Sequence, residues 1–383
     1  MKLRNINIKL LYIGIALSII SQIPFFWNNK IISLVYTGSL FLFIIVTIFK
    51  EKFKIKMSVA IIFLPILINI IFLLLTIFTQ NNYFNSNLFM PINMCCFFSI
   101  VGFFCNKYSN FNTLDKINKI IVMCTLVMAF FIFKENFFGN DWANSSSYQY
   151  TAKNSAATIF LVAVIIIVIF FKDFNRFFAV LSMFFLSVVI IMTKSRANLV
   201  CLLIVMLYVV LIYIKNYKLK IFLITLIIGT GILLFMNDSF YNLIINKIFF
   251  NNRSKTDLST ITSGRNTQYD HFFKMIPKYW LRGTGGTYIE CNILATLLSY
   301  GLLGGIPVII YSFYPALCVM KKNKNKNKTN NKLKHLVFLL SIMLIVNGLF
   351  EELAPFGPGV KCFSLWFYFG FYIGNLRRKV YAE

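Results

Sequence analysis

This sequence is short of charge: Asp, Glu, Lys and Arg make up 13% of its 383 residues, whereas 58% are hydrophobic and the mean hydropathy is +0.75. A soluble globular domain, in which about a quarter of residues are charged, is excluded. Acidic residues are scarcer still, 12 against 38 basic ones, and no Asp-x-Asp pair occurs that would hold a divalent metal. The two histidines, His271 and His335, fall on opposite sides of the expected topology, so no zinc site follows from them. None of the eight cysteines forms a CxxC, and most lie within apolar runs. Neither a disulfide framework nor a thiolate metal site is indicated, and they read as small apolar packing residues.

What is present is a succession of about twelve apolar runs, the first near 10–27 and the last near 362–376, each long enough to cross a bilayer core. The runs are solid rather than alternating, so they are helices and not barrel strands. The first run shows no small-residue cleavage site before Pro24 and is followed at once by another, which makes it a retained helix. The expectation is an all-α, polytopic transmembrane bundle of about 12 helices: nine in residues 1–236, a large extracytoplasmic loop at 237–290 containing a short amphipathic helix, and three more in 291–383 with a basic cytoplasmic loop at 321–334.

The formal charge of +26 invites a nucleic-acid reading, but its distribution argues otherwise. Loops that share a side with the N-terminus carry 25 of the 38 basic residues; the opposite side carries 13, seven of them in the one long loop. This is the positive-inside pattern, with both termini cytoplasmic and no nucleic-acid partner. KKNKNKNKTNNKLK, residues 321–334, is a solvated connector on the cytoplasmic side.

The outward side gathers the polar residues. In TKSR (193–196), Lys194 and Arg196 stand at helix ends, where a guanidinium either snorkels or grips a phosphate with two parallel hydrogen bonds. In SGRNTQYDHFFKMIPKYW, Tyr269, Phe272, Phe273 and Ile276 follow the i, i+3, i+4, i+7 spacing of an amphipathic helix that ends near Pro277 and lies on the membrane surface. Arg265 sits one turn before Tyr269, at headgroup level, while His271 faces away from the apolar stripe, as a solvated residue or a general base. The stretch WLRGTGGTYIECN is no dinucleotide fingerprint, because it lies outside the membrane. The amides of its glycines, Gly285 among them, would form either an anion nest beside Arg282 or a plain turn. Glu290 immediately precedes an apolar run, where an acid is either a general base or a helix-start charge favoured by the macrodipole. Glu351 and Glu352 rank below it.

Three segments, in this order and all on the outer side, resemble the O-antigen polymerase and O-antigen ligase superfamily. TKSRANLV (193–200) resembles its Ser-Arg helix start, SGR followed by a helix and a proline (263–277) its loop arginine, and ECNILATLLSYGLLG (290–304) its histidine-containing segment. In the last, Gly301 and Gly304 keep the family spacing, but Glu290 stands where the ligases carry histidine and Cys291 replaces its neighbour. A glycine eleven residues after either arginine, described for some polymerases, is absent: Leu207 and Ile276 occupy those positions.

The resemblance implies a polymerase of surface polysaccharide, O-antigen or capsule, in the bacterial cytoplasmic (inner) membrane with an extracytoplasmic active site. It implies metal-independent glycosyl transfer without cofactor, between donor and acceptor oligosaccharides on polyprenyl diphosphate, alongside a chain-length regulator and a flippase. Glu290, Arg265 and Arg196 would be catalytic; Lys194, Arg282, Gly285, Tyr288 and His271 would touch substrate. Aromatics of the outer loops, Trp142, Tyr148, Tyr150, Tyr279, Trp280 and Tyr288, suit stacking on sugars. A ligase-type glycosyltransferase and a transporter or flippase of lipid-linked oligosaccharide are the alternatives, though a transporter usually breaks or charges its helices at mid-membrane.

Overall fold

A computed structural model describes every residue except 1, 27–28, 51–57, 80–82, 86, 109–110, 138–152, 237–263, 321–327, 358–359 and 381–383. Most of the long outer loop, the aromatics Trp142, Tyr148 and Tyr150, and half of the basic connector therefore lie outside the described residues.

The apolar runs fold as helices because, inside a bilayer, each backbone N–H and C=O has to be paired within its own segment. In chain order these are α1 (Lys2–Ile20), α2 (Lys30–Lys50), α3 (Val59–Thr79), α4 (Phe89–Tyr108), α5 (Phe111–Phe137), α6 (Lys153–Ile169), α7 (Arg176–Met192), α8 (Arg196–Tyr208) and α9 (Tyr217–Met236). They continue with α10 (Arg265–Tyr279), α11 (Asn292–Met320), α12 (Lys328–Gly348) and α13 (Val360–Val380). Among the described residues, six of them (α2, α3, α4, α5, α11 and α12) are long and apolar enough to cross a membrane by length and composition. The structure thus bears out a helical membrane protein without establishing twelve spans. Helix α6 shows why an apolar run need not be a full span. Its 17 residues rise only about 26 Å, against a hydrocarbon core of about 30 Å. From Ala156 to Ile167 no residue is more than 4% exposed, as befits a helix that is apolar all round and enclosed by its neighbours.

Helices α4 and α13 touch backbone to backbone. A Cβ at Gly102 would lie 2.0 Å from the Phe367 carbonyl oxygen, and one at Gly370 would lie 1.9 Å from that of Ser99. Two backbones touch there, which is how helices pack in membranes when burial of apolar surface no longer drives them together. The contact fixes α13, and with it Trp366, whose Nε1 donates to the Pro355 carbonyl at 3.0 Å, and the loop that follows α12.

Helix α11 is broken inside its apolar run: Gly301 has φ 61 and ψ −167. The break leaves backbone groups without helical partners, and the glycine turn after α10 supplies them. Thr284 N–H and Gly285 N–H donate to the carbonyls of Leu298 and Ser299, both at 2.9 Å. In return Leu302 N–H donates to Trp280 at 2.8 Å and Leu303 N–H to Leu281 at 3.2 Å. Only glycine fits at the crossing. Gly283 has φ +76, and its Cβ would meet the Ser299 oxygen at 2.4 Å; a Cβ on Gly301 would meet the Leu281 oxygen at 2.3 Å.

The amphipathic helix is present as α10, and it runs two residues beyond Pro277. Its apolar side does not lie wholly toward lipid. Phe272, with Tyr269, Met275 and Ile276 beside it, packs on Ile289, Cys291, Ala295 and Leu298, while Phe273 is 67% exposed. His271, Asp270 and Lys274 are exposed, as the spacing predicts.

Gly370→Ala should lower the melting temperature of the detergent-solubilised protein sharply, because overpacking a tight contact costs about 1–3 kcal/mol or more. Gly229→Ala, where nothing lies within 4 Å of the new Cβ, should be neutral or mildly stabilising. Equal melting of both variants in a fluorescence-detected thermal shift would show that the α4–α13 contact is not as close as described.

Candidate functional site

Arg265 opens α10 after Gly264, whose φ of +81 reverses the chain. Its Nη2 lies 2.8 Å from Glu290 Oε2, so two residues singled out from sequence form an ion pair. The side chains are 21% and 30% exposed, which leaves both within reach of a ligand. The same Nη2 donates to the Phe350 carbonyl at 3.2 Å, and the guanidinium stands 5.6 Å from the centre of the Phe350 ring. Arg265 Nε is buried without a hydrogen-bond partner among the described residues.

Glu290 is held from three sides. Its N–H donates to Gln268 Oε1 at 2.7 Å, and Gln268 lies one turn beyond Arg265 on α10. Tyr288 Oη donates to Glu290 Oε1 at 3.4 Å. Partial burial, and then the neighbouring carboxylate, push the Tyr288 hydroxyl above its ordinary pKa, so it stays protonated and able to donate.

Arg196 opens α8 and is set by a buried, uncharged network. Ser195 Oγ donates to Asn154 Oδ1 at 2.7 Å; Asn198 Nδ2 donates to the Asn154 carbonyl at 3.0 Å and to Ser195 Oγ at 2.9 Å. Asn198 Oδ1 accepts from Thr158 Oγ1 at 3.0 Å, and Asn347 Nδ2 donates to Thr158 Oγ1 at 2.8 Å. Thr158, Asn198 and Asn347 are each fully buried, where polar groups have to be hydrogen-bonded. The Asn347 carbonyl in turn accepts from Phe350 N–H at 2.9 Å, and Phe350 is the residue that Arg265 grips. The starts of α6, α8 and α10 and the end of α12 are thereby tied into one end of the bundle. The sequence reading passed over Asn154, Thr158, Asn198, Asn347 and Gln268. For the first four the only signal was an amide or hydroxyl side chain within a turn of an apolar run's outer end, and for Gln268 its place one turn after Arg265.

The other expected residues fare differently. Lys194 sits in the left-handed region with φ 50 and is half-buried in the tight turn before α8. Tyr288 reaches Glu290, whereas His271 lies on the exposed face of α10. Arg282 is exposed, and its carbonyl accepts from Tyr83 Oη at 2.8 Å. The amide of Gly285 is engaged by Ser299, so this part of the glycine stretch patches the broken helix and is no open anion nest.

Glu351 pairs with Lys361 rather than with an arginine, and Lys361 is only 2% exposed. The Glu352 carbonyl accepts from Asn292 Nδ2 at 2.6 Å. Burial pushes the Glu352 carboxyl above its ordinary pKa, against a lowering hydrogen bond from Asn87.

These features define a helical membrane protein in which an accessible arginine–carboxylate pair and a second arginine-bearing helix start are tied to one end of the bundle. Residues 181–301 match the family model described as O-Antigen ligase. The match runs from α7 through Arg196, Arg265 and Glu290 to the break at Gly301, so that this part of the chain is similar to the O-antigen ligase family. No curated protein matches the chain.

A carboxyl whose folded pKa is raised loses stability as pH climbs from its ordinary pKa to the folded one, because the unfolded chain ionises first. Glu352→Gln should therefore stabilise the protein at about pH 7.5 and make little difference at about pH 4. Melting curves at the two pH values test this; an equal effect at both would mean that burial does not disfavour the carboxylate.

Proposed function

We propose that the protein is a polymerase of surface polysaccharide, acting on oligosaccharides carried by polyprenyl diphosphate. The observation that carries the proposal is the Arg265–Glu290 pair: a cation suited to phosphate, in contact with a carboxylate at the position where the related ligases have histidine. Arg265 and Arg196 bind the donor diphosphate and stabilise it as it leaves. Glu290, released from Arg265 by the arriving diphosphate, accepts the proton of the acceptor hydroxyl. That oxygen forms the new bond to the anomeric carbon, the bond from the anomeric carbon to the diphosphate oxygen breaks, and lipid diphosphate departs with its electron pair. Tyr288 orients the carboxylate. The energy resides in the donor's diphosphate, and no nucleotide enters the reaction.

In this reading residues 1–236 and 291–383 carry the transmembrane helices, residues 237–290 are the large extracytoplasmic loop, and both termini are cytoplasmic. A ligase would use the same two arginines to pass a finished chain to a different acceptor. Substitution of glutamate for the family's histidine favours repeat-unit polymerisation.

Purified protein given lipid-linked repeat units, without metal or nucleotide, should produce a ladder of products. Arg265→Ala and Glu290→Gln should each lower elongation by about 10²–10⁴-fold, the range of a lost general base or oxyanion-type contact, with unchanged membrane levels. Wild-type chain lengths in both variants would remove the site. Transport of repeats across liposomes without any ladder would instead identify a transporter.

A further inference from the structure

At the end of the bundle where α4 and α2 begin side by side, two cavities share α2. The first is an open cleft of about 530 Å³ between the end of α1 and the start of α2, lined by Ser21, Gln22, Phe26, Lys30, Ser33 and Tyr36 among others. Amides, hydroxyls and aromatic rings in such a mixture suit a polyhydroxylated head group, and Lys30, exposed at its edge, supplies a positive charge. The second is an apolar groove of about 350 Å³ between α2 and α4, lined by Leu34, Thr37, Gly38, Phe41, Met94 and Phe97. The Thr37 hydroxyl is turned back onto the Ser33 carbonyl of its own helix, so the groove presents carbon.

Lys30, Leu34, Thr37 and Phe41 recur at i, i+4, i+7 and i+11, which puts them on a single stripe of α2. The cation therefore caps the apolar groove, and the polar cleft lies beside it. Gly38 adds an independent sign. Glycine in a helix interior costs about 0.5–1 kcal/mol relative to alanine, yet nothing lies within 4 Å of a Cβ built at this position. Among the described residues no packing calls for it, and its effect is to keep the groove open.

We propose that cleft and groove together bind one molecule of a glycolipid: a phosphate beside Lys30, sugar in the α1–α2 cleft, and an isoprenoid chain along Leu34, Gly38 and Phe41. Lys30 lines the cleft and opens the stripe that continues into the groove, so the head and the tail of one lipid would meet at its charge. The site shares its end of the bundle with the ion pair, since Leu34 to Phe41 lie against Met94 and Phe97 near the start of α4, and Tyr83, just before α4, bonds to Arg282. The sugar-phosphate nature of the head rests on the proposed function; the existence of an anionic lipid site does not.

The full-length protein, carrying benzoylphenylalanine in place of the lipid-facing Leu34 (76% exposed), is placed in phosphatidylcholine nanodiscs with undecaprenyl diphosphate–N-acetylglucosamine and irradiated. Capture of this probe is expected, undiminished by excess phosphatidylglycerol. Lys30→Gln should lower it about tenfold, the loss of one charge-assisted hydrogen bond. Gly38→Leu, which fills the groove without meeting protein atoms at its Cβ, should lower it at least as far. Capture needs no turnover, and Gly229→Ala, which lines neither cavity, should label like wild type. Labelling unchanged in both α2 variants, or no labelling at all, would overturn the site, and full displacement by phosphatidylglycerol would overturn its glycolipid occupant. A missing ladder with intact, variant-sensitive capture would overturn the polymerase reading instead.

Discussion

A backbone group that leaves its helix inside an apolar surrounding has to find another partner, and this requirement organises the functional end of the molecule. It operates at two places. The break of α11 at Gly301 is closed by the glycine turn of residues 283–285, backbone to backbone. The loop between α12 and α13 is closed by side chains: its carbonyls at Phe350, Glu352, Pro355 and Phe356 accept from Arg265, Asn292, Trp366 and Cys95. Because α10 supplies Arg265 and α11 supplies Asn292, satisfying the loop also brings together the elements that carry the arginine and the carboxylate.

Of the two ion pairs described around this loop, one is open to a ligand and the other is not. Lys361 and Glu351 are enclosed, and a buried pair of this kind costs much desolvation while its loss would strand the remaining charge. Its role is to hold the loop that Arg265 grips. Around Arg196 the same stiffness comes from neutral amides and hydroxyls, which avoid that desolvation cost altogether. The Arg265–Glu290 pair differs from both in being about a quarter exposed, so an incoming diphosphate can compete for the guanidinium.

Much of this was legible beforehand, and for a definite reason. Apolar runs, the basic bias of the loops and the i, i+3, i+4, i+7 pattern of α10 are local properties, and local properties survive folding unchanged. Glu290 stood out because an acid at the edge of an apolar run is costly unless it is used. Gly285 was harder to read, since a glycine turn that cradles an anion and one that patches a broken helix have the same composition. Nothing in RGTGG indicates that α11 will break fifteen residues later.

The sequence by itself therefore determined the class of the protein, the helices and the short list of charged residues on which chemistry can rest, because these follow from hydropathy, period and family motif. Tertiary structure alone decided which of those residues meet. The Arg265 contact with Phe350 joins positions 85 apart, the Asn347 contact with Thr158 joins positions 189 apart, and Lys361 takes Glu351 from the arginines. Such pairings depend on how closely elements approach, as where Gly102 and Gly370 let α4 and α13 touch in a contact whose partners lie far apart in the chain.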